Sequence, residues 1–392
     1  MGIKKIGILC FNDINDGGVF QYTESLLDIL GQTKNDKYKF VIFCFEKTNF
    51  KFNSKFEVRK IIKKSSNILI KGLRLLFLLF NIRSYTFFTK NELNNFSDID
   101  LFYSPVSAIY PHFYLNKPFI YTFHDLQEKY FPKYFSKKEL FLRHFTNKIL
   151  TKNAVYIICE SNYVKNDIKK YYKLDGKNIY IIKSPPTNKF LNFKINTFNF
   201  NLIKSKYKLP EFYIYYPAQS WHHKNHITLL YAFKEVLKKY NELKLVFSGA
   251  KKNNHENILS VIKQLGLTDN VLHIGYVLSE ELPYIYKHSS ALIMPSLFES
   301  ISIPIYEAFA LNIPVASSNI YGIPEQVENG AILFDPGSID NIAISILEIL
   351  ENETLRNVLK ERGNKIIANF NKTEFTHQFL TIIDNYFRND ND

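Results

Sequence analysis

The sequence predicts an α/β protein made of two doubly wound domains, each a parallel sheet covered by helices on both faces. Three observations carry that reading. The chain has 392 residues, enough for two domains of about 150–200 residues each. Short apolar runs alternate with stretches of helical periodicity, in one series before Ser184 and a second after Pro210. Between them, Ser184-Pro-Pro-Thr-Asn188 and the polar, Lys-rich stretch up to Pro210 break both patterns and read as a connection.

In the first series, Ile6–Phe11 reads as a buried strand and Phe20–Leu30 as a helix with one apolar face. Tyr38–Phe45, Leu101–Ser104, Phe119–Phe123 and Val155–Cys159 are further strands, the later ones separated by helical patterns at Lys138–Leu150 and Tyr163–Tyr172. In the second series, strands are expected at Tyr213–Tyr216, Leu243–Phe247, Val271–Ile274, Ala291–Met294, Val315–Ser317 and Ile332–Phe334. Helices are expected at Ile227–Lys239, Ile258–Leu265, Glu280–Tyr286, Ile305–Leu311, Ile339–Leu350 and Glu353–Ile367, with a last amphipathic helix over Thr373–Phe387. The domains are then 1–190 and 211–372, joined by 191–210, with the final helix packing back on the first. Doubly wound domains place the C-terminal ends of their strands toward ligands, here a shared cleft.

Hydrophobic residues make up 46% of the chain and charged residues 22%, which excludes a disordered class. The formal net charge is +13 and the isoelectric point about 9.2. That balance suits an anionic partner without choosing among phosphorylated ligand, membrane and nucleic acid. No nucleic-acid-binding module is recognisable, so nucleic acid is not expected. Cys10, Cys44 and Cys159 each sit in a core strand, which favours buried free thiols in a reducing compartment. The N-terminus leads straight into a strand, with no apolar leader, and a cytoplasmic protein is expected. Leu75–Phe80 is too short to span a bilayer. With Lys51, Lys55, Arg59, Lys60, Lys63, Lys64, Lys71, Arg74 and Arg83 it reads either as a basic, apolar face on an anionic membrane or as a core helix with a solvated side.

The richest constellation is Glu299-Ser-Ile-Ser-Ile-Pro-Ile-Tyr-Glu307. Pro304 suits the first turn of a helix. Free backbone N–H groups of Ser302 and Ile303, with the helix dipole, would then form an anion site. Two carboxylates beside a phosphate repel it unless sugar hydroxyls use them as acceptors, and a nucleotide sugar supplies such hydroxyls at both ends. An ordinary loop bearing surface acids is the plainer alternative. In Tyr216-Pro-Ala-Gln-Ser-Trp-His-His-Lys-Asn-His226, Lys224 can neutralise a departing diphosphate. His222, His223 and His226 invite a metal, yet their crowding lacks the remote ligand and orienting groups of a zinc site, so no metal is expected.

His124-Asp125 follows the Phe119–Phe123 strand, at the end where ligands bind, and packing or capping is its alternative. Asp125 could orient His124, bind an acceptor, or cap the next segment. Gly17-Gly18, between the first strand and first helix, let a backbone approach a phosphate, though a plain turn reads equally well. Asp98-Ile-Asp100 immediately precedes a strand and reads as strand entry rather than a metal site.

Taken together, the Glu-x7-Glu pattern, its Pro304 and the following Glu307-Ala-Phe-Ala-Leu-Asn-Ile-Pro-Val-Ala-Ser317 resemble the donor site of retaining glycosyltransferases with the GT-B fold, family 4. The resemblance implies that Glu299 lies by the donor sugar and Glu307 holds the ribose. It places a basic pair on the Lys224 loop, where Gln219 stands in the position at which Arg is common. It puts His124 close to the donor sugar, Gly17 and Gly18 beside the diphosphate and acceptor, and Tyr276-Val277 against the base through backbone groups. Ser300 and Ser302 stand where the family usually has Gly, which puts the donor geometry in question unless φ stays negative there. The implied reaction moves a hexose or deoxyhexose from a nucleoside-diphosphate sugar to a hydroxyl of a glycan or lipid-linked glycan, with retention and no metal or cofactor, in cell-surface polysaccharide assembly. Glu299, His124 and Lys224 would be catalytic. A non-catalytic scaffold on this fold and a nucleotide-sugar epimerase are the rivals.

Overall fold

The computed structural model describes residues 3–13, 16–48, 50–61, 76, 80, 90–107, 117–183, 188–370 and 372–389. The chain divides into two compact units, Met1–Ser184 with Lys372–Asp392, and Pro185–Asn371.

The first unit carries a seven-stranded parallel sheet in the order β3-β2-β1-β4-β5-β6-β7. Its strands are β1 Lys4–Cys10, β2 Tyr38–Phe45, β3 Glu57–Ile61, β4 Leu101–Ser104, β5 Phe119–Thr122, β6 Tyr156–Cys159 and β7 Ile179–Ile181. Helices α1 Gly18–Gln32, α2 Lys90–Ser97, α3 Lys137–Asn153 and α4 Asn162–Tyr172 connect them. Both faces of the sheet are buried. Ile6, Ile8 and Cys10 of β1 join one apolar cluster, while Leu9 joins the other. That two-sided burial is why these strands read as continuous apolar runs.

The second unit carries a six-stranded parallel sheet in the order β10-β9-β8-β11-β12-β13. Its strands are β8 Tyr213–Pro217, β9 Lys244–Ser248, β10 Val271–His273, β11 Ala291–Met294, β12 Val315–Ser318 and β13 Ala331–Phe334. After a single turn at Asn188–Leu191, its helices are α5 Thr197–Tyr207, α6 His226–Leu237, α7 His255–Leu265, α8 Leu282–His288, α9 Ile303–Ala310, α10 Ile323–Val327, α11 Ile339–Glu351 and α12 Glu353–Ala368. In both sheets the strand order reverses beside the first strand, so β1/β4 and β8/β11 flank the switch points where such sheets bind ligands.

Two expectations about organisation need correction. The unit boundary falls at Ser184 rather than residue 190, and 191–210 is no free connection. Helix α5 lies inside it and belongs to the second unit, with Ile203 buried in that core. The final helix, α13 Lys372–Asn389, follows the second unit in sequence but packs on the first sheet. Its Phe375, Phe379, Ile382 and Ile383 enter the cluster holding Ile6, Ile8 and Ile42, and Tyr38 donates a hydrogen bond to Asp384.

The three cysteines are buried free thiols on β1, β2 and β6. The basic face expected over 51–83 lies mostly outside the described residues. Within it, Arg59 is held on β3 by Glu57 and by both carboxylate oxygens of Asp98, so it is no open lipid contact. Among the described residues, no helix is long and apolar enough to cross a membrane.

Candidate functional site

The second unit gathers its chemistry at the β8/β11 switch point. Parallel pairing of β8 with β11 brings the loop after each strand to the same end of the sheet. The two loops are stitched together. Leu297 N–H donates to the His223 carbonyl at 2.7 Å, and Asn225 Nδ2 reaches the carbonyls of Pro295 and Pro336 at 3.0 and 2.8 Å. Tyr216 Oη donates to the Lys224 carbonyl at 2.5 Å.

On this support Lys224 Nζ meets Glu299 Oε1 at 2.5 Å, and Ser296 Oγ donates to the same oxygen at 2.8 Å. The side chains are 21% and 13% exposed. Two residues singled out separately in the sequence are therefore one ion pair, shielded enough that its Coulomb energy exceeds that of a surface pair. Glu307 lies one turn into α9, buried, and accepts from Tyr286 Oη at 2.7 Å. Burial, followed by the charge of Glu307, raises the Tyr286 phenol well above its ordinary range, so it stays a donor.

Ser302 is the N-cap of α9, extended at φ −128°, and neither it nor Ser300 occupies the left-handed region. Serine is accommodated at both positions without backbone strain. The expected free N–H at Ser302 is corrected by the structure. It donates to Gln326 Oε1 at 2.7 Å, while Gln326 Nε2 returns a bond to the Ser302 carbonyl at 2.7 Å. A neutral amide from α10 has occupied the donor, which narrows the expected pair to Ile303. Ser302 Oγ is buried with no hydrogen-bond partner among the described residues, a cost that a ligand could relieve.

Gln219 accepts from Trp221 Nε1 at 2.9 Å. It is a neutral loop brace where a second cation is common. Tyr276 is 48% exposed and Val277 buried, just past Gly275. Gly249, which the sequence reading passed over, closes this region: at φ +128° an added Cβ would sit 2.7 Å from the Ala218 carbonyl.

Among the described residues, no group of three His, Cys, Asp or Glu is placed to hold a metal ion. Of the histidines of the Lys224 loop, His222 is exposed and His223 partly buried, while His226 is buried. His226 is fully enclosed, packed against Tyr216 and Phe247. Burial first, then the charge of His273, pushes its imidazole down to about 3. The folded protein holds His226 neutral while the unfolded chain protonates near 6.5, so this contribution is complete above 6.5 and lost as pH falls toward 3. From pH 7.5 to 5 the loss is about 2 kcal/mol from this residue. Urea unfolding of wild type against His226→Leu should show the variant with the shallower acid slope. Equal slopes would remove His226 from the account.

In the first unit, His124 follows β5 with both ring nitrogens engaged. Nε2 lies 2.7 Å from the Pro105 carbonyl and Nδ1 3.2 Å from Glu160 Oε2. Glu160, at the end of β6, had no signal in the sequence as a functional residue. Beside the ring, the hydroxyls of Tyr22, Tyr103 and Thr122 bond one another at 2.6–3.1 Å, and Tyr22 packs edge-on to His124 at 5.0 Å. Of the roles left open for Asp125, the structure displays capping: it accepts from Gln127 N–H at 3.1 Å and meets Arg143 at 3.4 Å. Gly17 has φ 59° and ψ −120°, available only to glycine without strain, where the chain turns into α1; Gly18 is the first residue of that helix. Asn15 lies outside the described residues. Asp98 and Asp100 are strand-entry residues, bound to Arg59 and to Lys4 and Lys5.

Comparison with known proteins covers both units. A family model described as Glycosyltransferase Family 4 matches residues 17–185, and one described as Glycosyl transferases group 1 matches 199–366. Among curated relatives, O-antigen chain mannosyltransferase B of Escherichia coli is 25% identical over 64% of this chain and 67% of its own length. O-antigen chain mannosyltransferase RfbU of Salmonella typhimurium is 30% identical over 55% of this chain and 56% of its own. Among solved structures, Anabaena HepE in complex with UDP and glucose aligns with a TM-score of 0.73 at 16% identity, over 97% of this chain and 100% of that one. Sucrose-phosphate synthase from Thermosynechococcus elongatus aligns at 0.75 and 16% identity, over 98% and 99%. At such identities these structures share the GT-B fold of two Rossmann-like domains.

Proposed function

The chain belongs to the group 1 glycosyltransferases of family 4, and from that premise we propose that it moves a hexose, mannose first among candidates, from a nucleoside-diphosphate sugar to a glycan hydroxyl in the assembly of a cell-surface polysaccharide. The candidate sugar follows the two O-antigen mannosyltransferases above. The Lys224–Glu299 pair at the switch point is the observation that carries the reading.

Transfer retains the anomeric configuration. Retention by two displacements needs an enzymic nucleophile at the anomeric carbon. Glu299 Oε1 is already engaged by Lys224 and Ser296, which lowers its nucleophilicity. A front-face path suits these residues better. The bond from the anomeric carbon to the acceptor oxygen forms as the bond to the diphosphate breaks, on the same face, and the departing phosphate takes the acceptor's proton. Lys224 and the Ile303 end of α9 stabilise the charge that develops on that phosphate, the task a metal performs elsewhere. Glu299 accepts a hydroxyl of the donor sugar and Glu307 the ribose. Gly17, Gly18, Gln219, Tyr276 and Val277 complete the donor contacts by the resemblance, and Asp125 the acceptor side. The acceptor is lipid-linked at the inner face of the cell membrane, in keeping with the basic chain.

A thermal-shift screen of UDP, GDP, dTDP, UDP-glucose and GDP-mannose tests the reading. A ligand at 100 times its Kd stabilises by about 2.7 kcal/mol, and about 2–4 °C per kcal/mol is expected for a unit of this size. The correct nucleotide sugar should exceed its bare diphosphate. Glu307→Gln keeps an acceptor for Tyr286 yet loses the charge, so it should shrink the ligand-induced shift relative to its own baseline. No shift from any of these ligands would favour a non-catalytic scaffold, the rival that gains from Ser302 having given its N–H to Gln326.

A further inference from the structure

A neutral imidazole has one N–H donor and one acceptor nitrogen. His124 offers that pattern no place: a carbonyl oxygen stands at Nε2 and a carboxylate oxygen at Nδ1, at 2.7 and 3.2 Å. The Pro105 carbonyl has no hydrogen to give, so Nε2 donates; with Glu160 ionised, Nδ1 donates as well, and both contacts are then satisfied by a ring protonated at both nitrogens. Glu160 is 4% exposed, and its second oxygen, Oε1, is buried with no hydrogen-bond partner among the described residues. A carboxylate sequestered in this way is stable beside a compensating cation.

We propose that Glu160 is a positioning residue that fixes His124 as a doubly protonated imidazolium, so that His124 enters the transfer as a fixed positive charge and not as a proton-transfer group. This rests on the reading above that His124 belongs to the transfer site. With both N–H groups committed, the ring has no lone pair with which to act as a base. In a front-face reaction it has no proton to carry, because the departing phosphate takes it. What remains is a cation held in one orientation by Glu160, Pro105 and the edge of Tyr22.

The charged and titratable groups facing the ring agree. Burial alone drives the imidazole toward neutrality; the hydrogen bond and charge of Glu160, the Pro105 carbonyl and the charge of Asp125 outweigh it, and the net shift is upward. Of the flanking phenols, burial, then the charges of Tyr103 and Glu160, raise Tyr22, and burial raises Tyr103 against the lowering effect of its hydrogen bonds to Thr122 and Tyr22, so both stay neutral in the working range.

The test uses the full chain labelled with 15N-histidine, the His124 resonance being assigned by its absence in His124→Gln. In wild type both ring nitrogens should show the imidazolium signature at pH 7.5. Glu160→Gln retains an acceptor for Nδ1 and removes only the charge, so the His124 midpoint should fall by about 1–3 pH units. A wild-type midpoint near 6.5, or an unchanged midpoint in Glu160→Gln, overturns the pairing. In parallel, GDP release from GDP-mannose and UDP release from UDP-glucose are followed from pH 6 to 9. The variant should lose about tenfold per pH unit above its own lowered midpoint, while wild type holds its rate to a higher pH, a displacement of the pH profile that misfolding would not produce. If His124 titrates as stated yet variant and wild type share one pH profile, the ring's charge is not used in transfer: the Glu160 pairing then stands and the role of His124 in the reaction falls.

Discussion

Lys224→Ala should lower kcat for sugar transfer by about 10²–10³-fold, the cost of removing one donor aimed at developing negative charge, or about 2.7–4 kcal/mol. The prediction follows from where the structure holds the amine. Lys224 sits on a short loop fixed by Tyr216 and Asn225 rather than on a mobile surface arm. Its charge is therefore oriented before substrate arrives, and little reorganisation is needed as the diphosphate departs. The loss has a second component, because the substitution strands Glu299, 13% exposed, without its cation. Breaking a fully buried pair costs about 3–5 kcal/mol of stability, an upper bound here because Lys224 is a fifth exposed. Kinetics must accordingly be read well below the variant's own Tm. Glu299→Ala separates the components: it should also lower turnover, while leaving Lys224 free for the phosphate. A rate for Lys224→Ala within about threefold of wild type in the folded state would sink the leaving-group role.

The second large effect belongs to a glycine. Gly249→Ala should destabilise the second unit by about 3 kcal/mol, seen as a Tm lower by about 6–12 °C. At φ +128° the position is strained for any L side chain. The new Cβ would lie 2.7 Å from the carbonyl carbon and oxygen of Ala218 and 2.8 Å from Gln219 N. These are backbone atoms, so no side chain can swing away. Relief requires moving the 218–225 loop, and Lys224 with it, so the variant should also lose ligand-induced stabilisation. An unchanged Tm would show that the loop yields at no cost.

Much of the fold was legible because parallel strands buried on both faces are written as apolar runs; β2, β4 and β11 fall on the ranges read from them. Strands β3 and β7 were not seen. Glu57-Val-Arg-Lys-Ile61 carries three charges at a sheet edge, where Glu57 and Arg59 are ion-paired and Lys60 is exposed, and β7 is three residues at the other edge. Helix α5 escaped because it buries little beyond Ile203 and leaves Leu202 exposed, so no apolar face shows in its sequence.

The sequence by itself determined the order of elements, the Glu299–Glu307 loop and the positions of Lys224 and His124 after strands, since each depends on local periodicity and spacing. Only the tertiary structure decided what these side chains touch. Lys224 pairs with Glu299 across 75 positions, Gln326 takes the Ser302 N–H across 24, and Glu160 claims His124 across 36. Each contact depends on which strands lie side by side. Lateral strand order in a parallel sheet is set by crossover connections and packing over the whole unit, and no local stretch of residues encodes it.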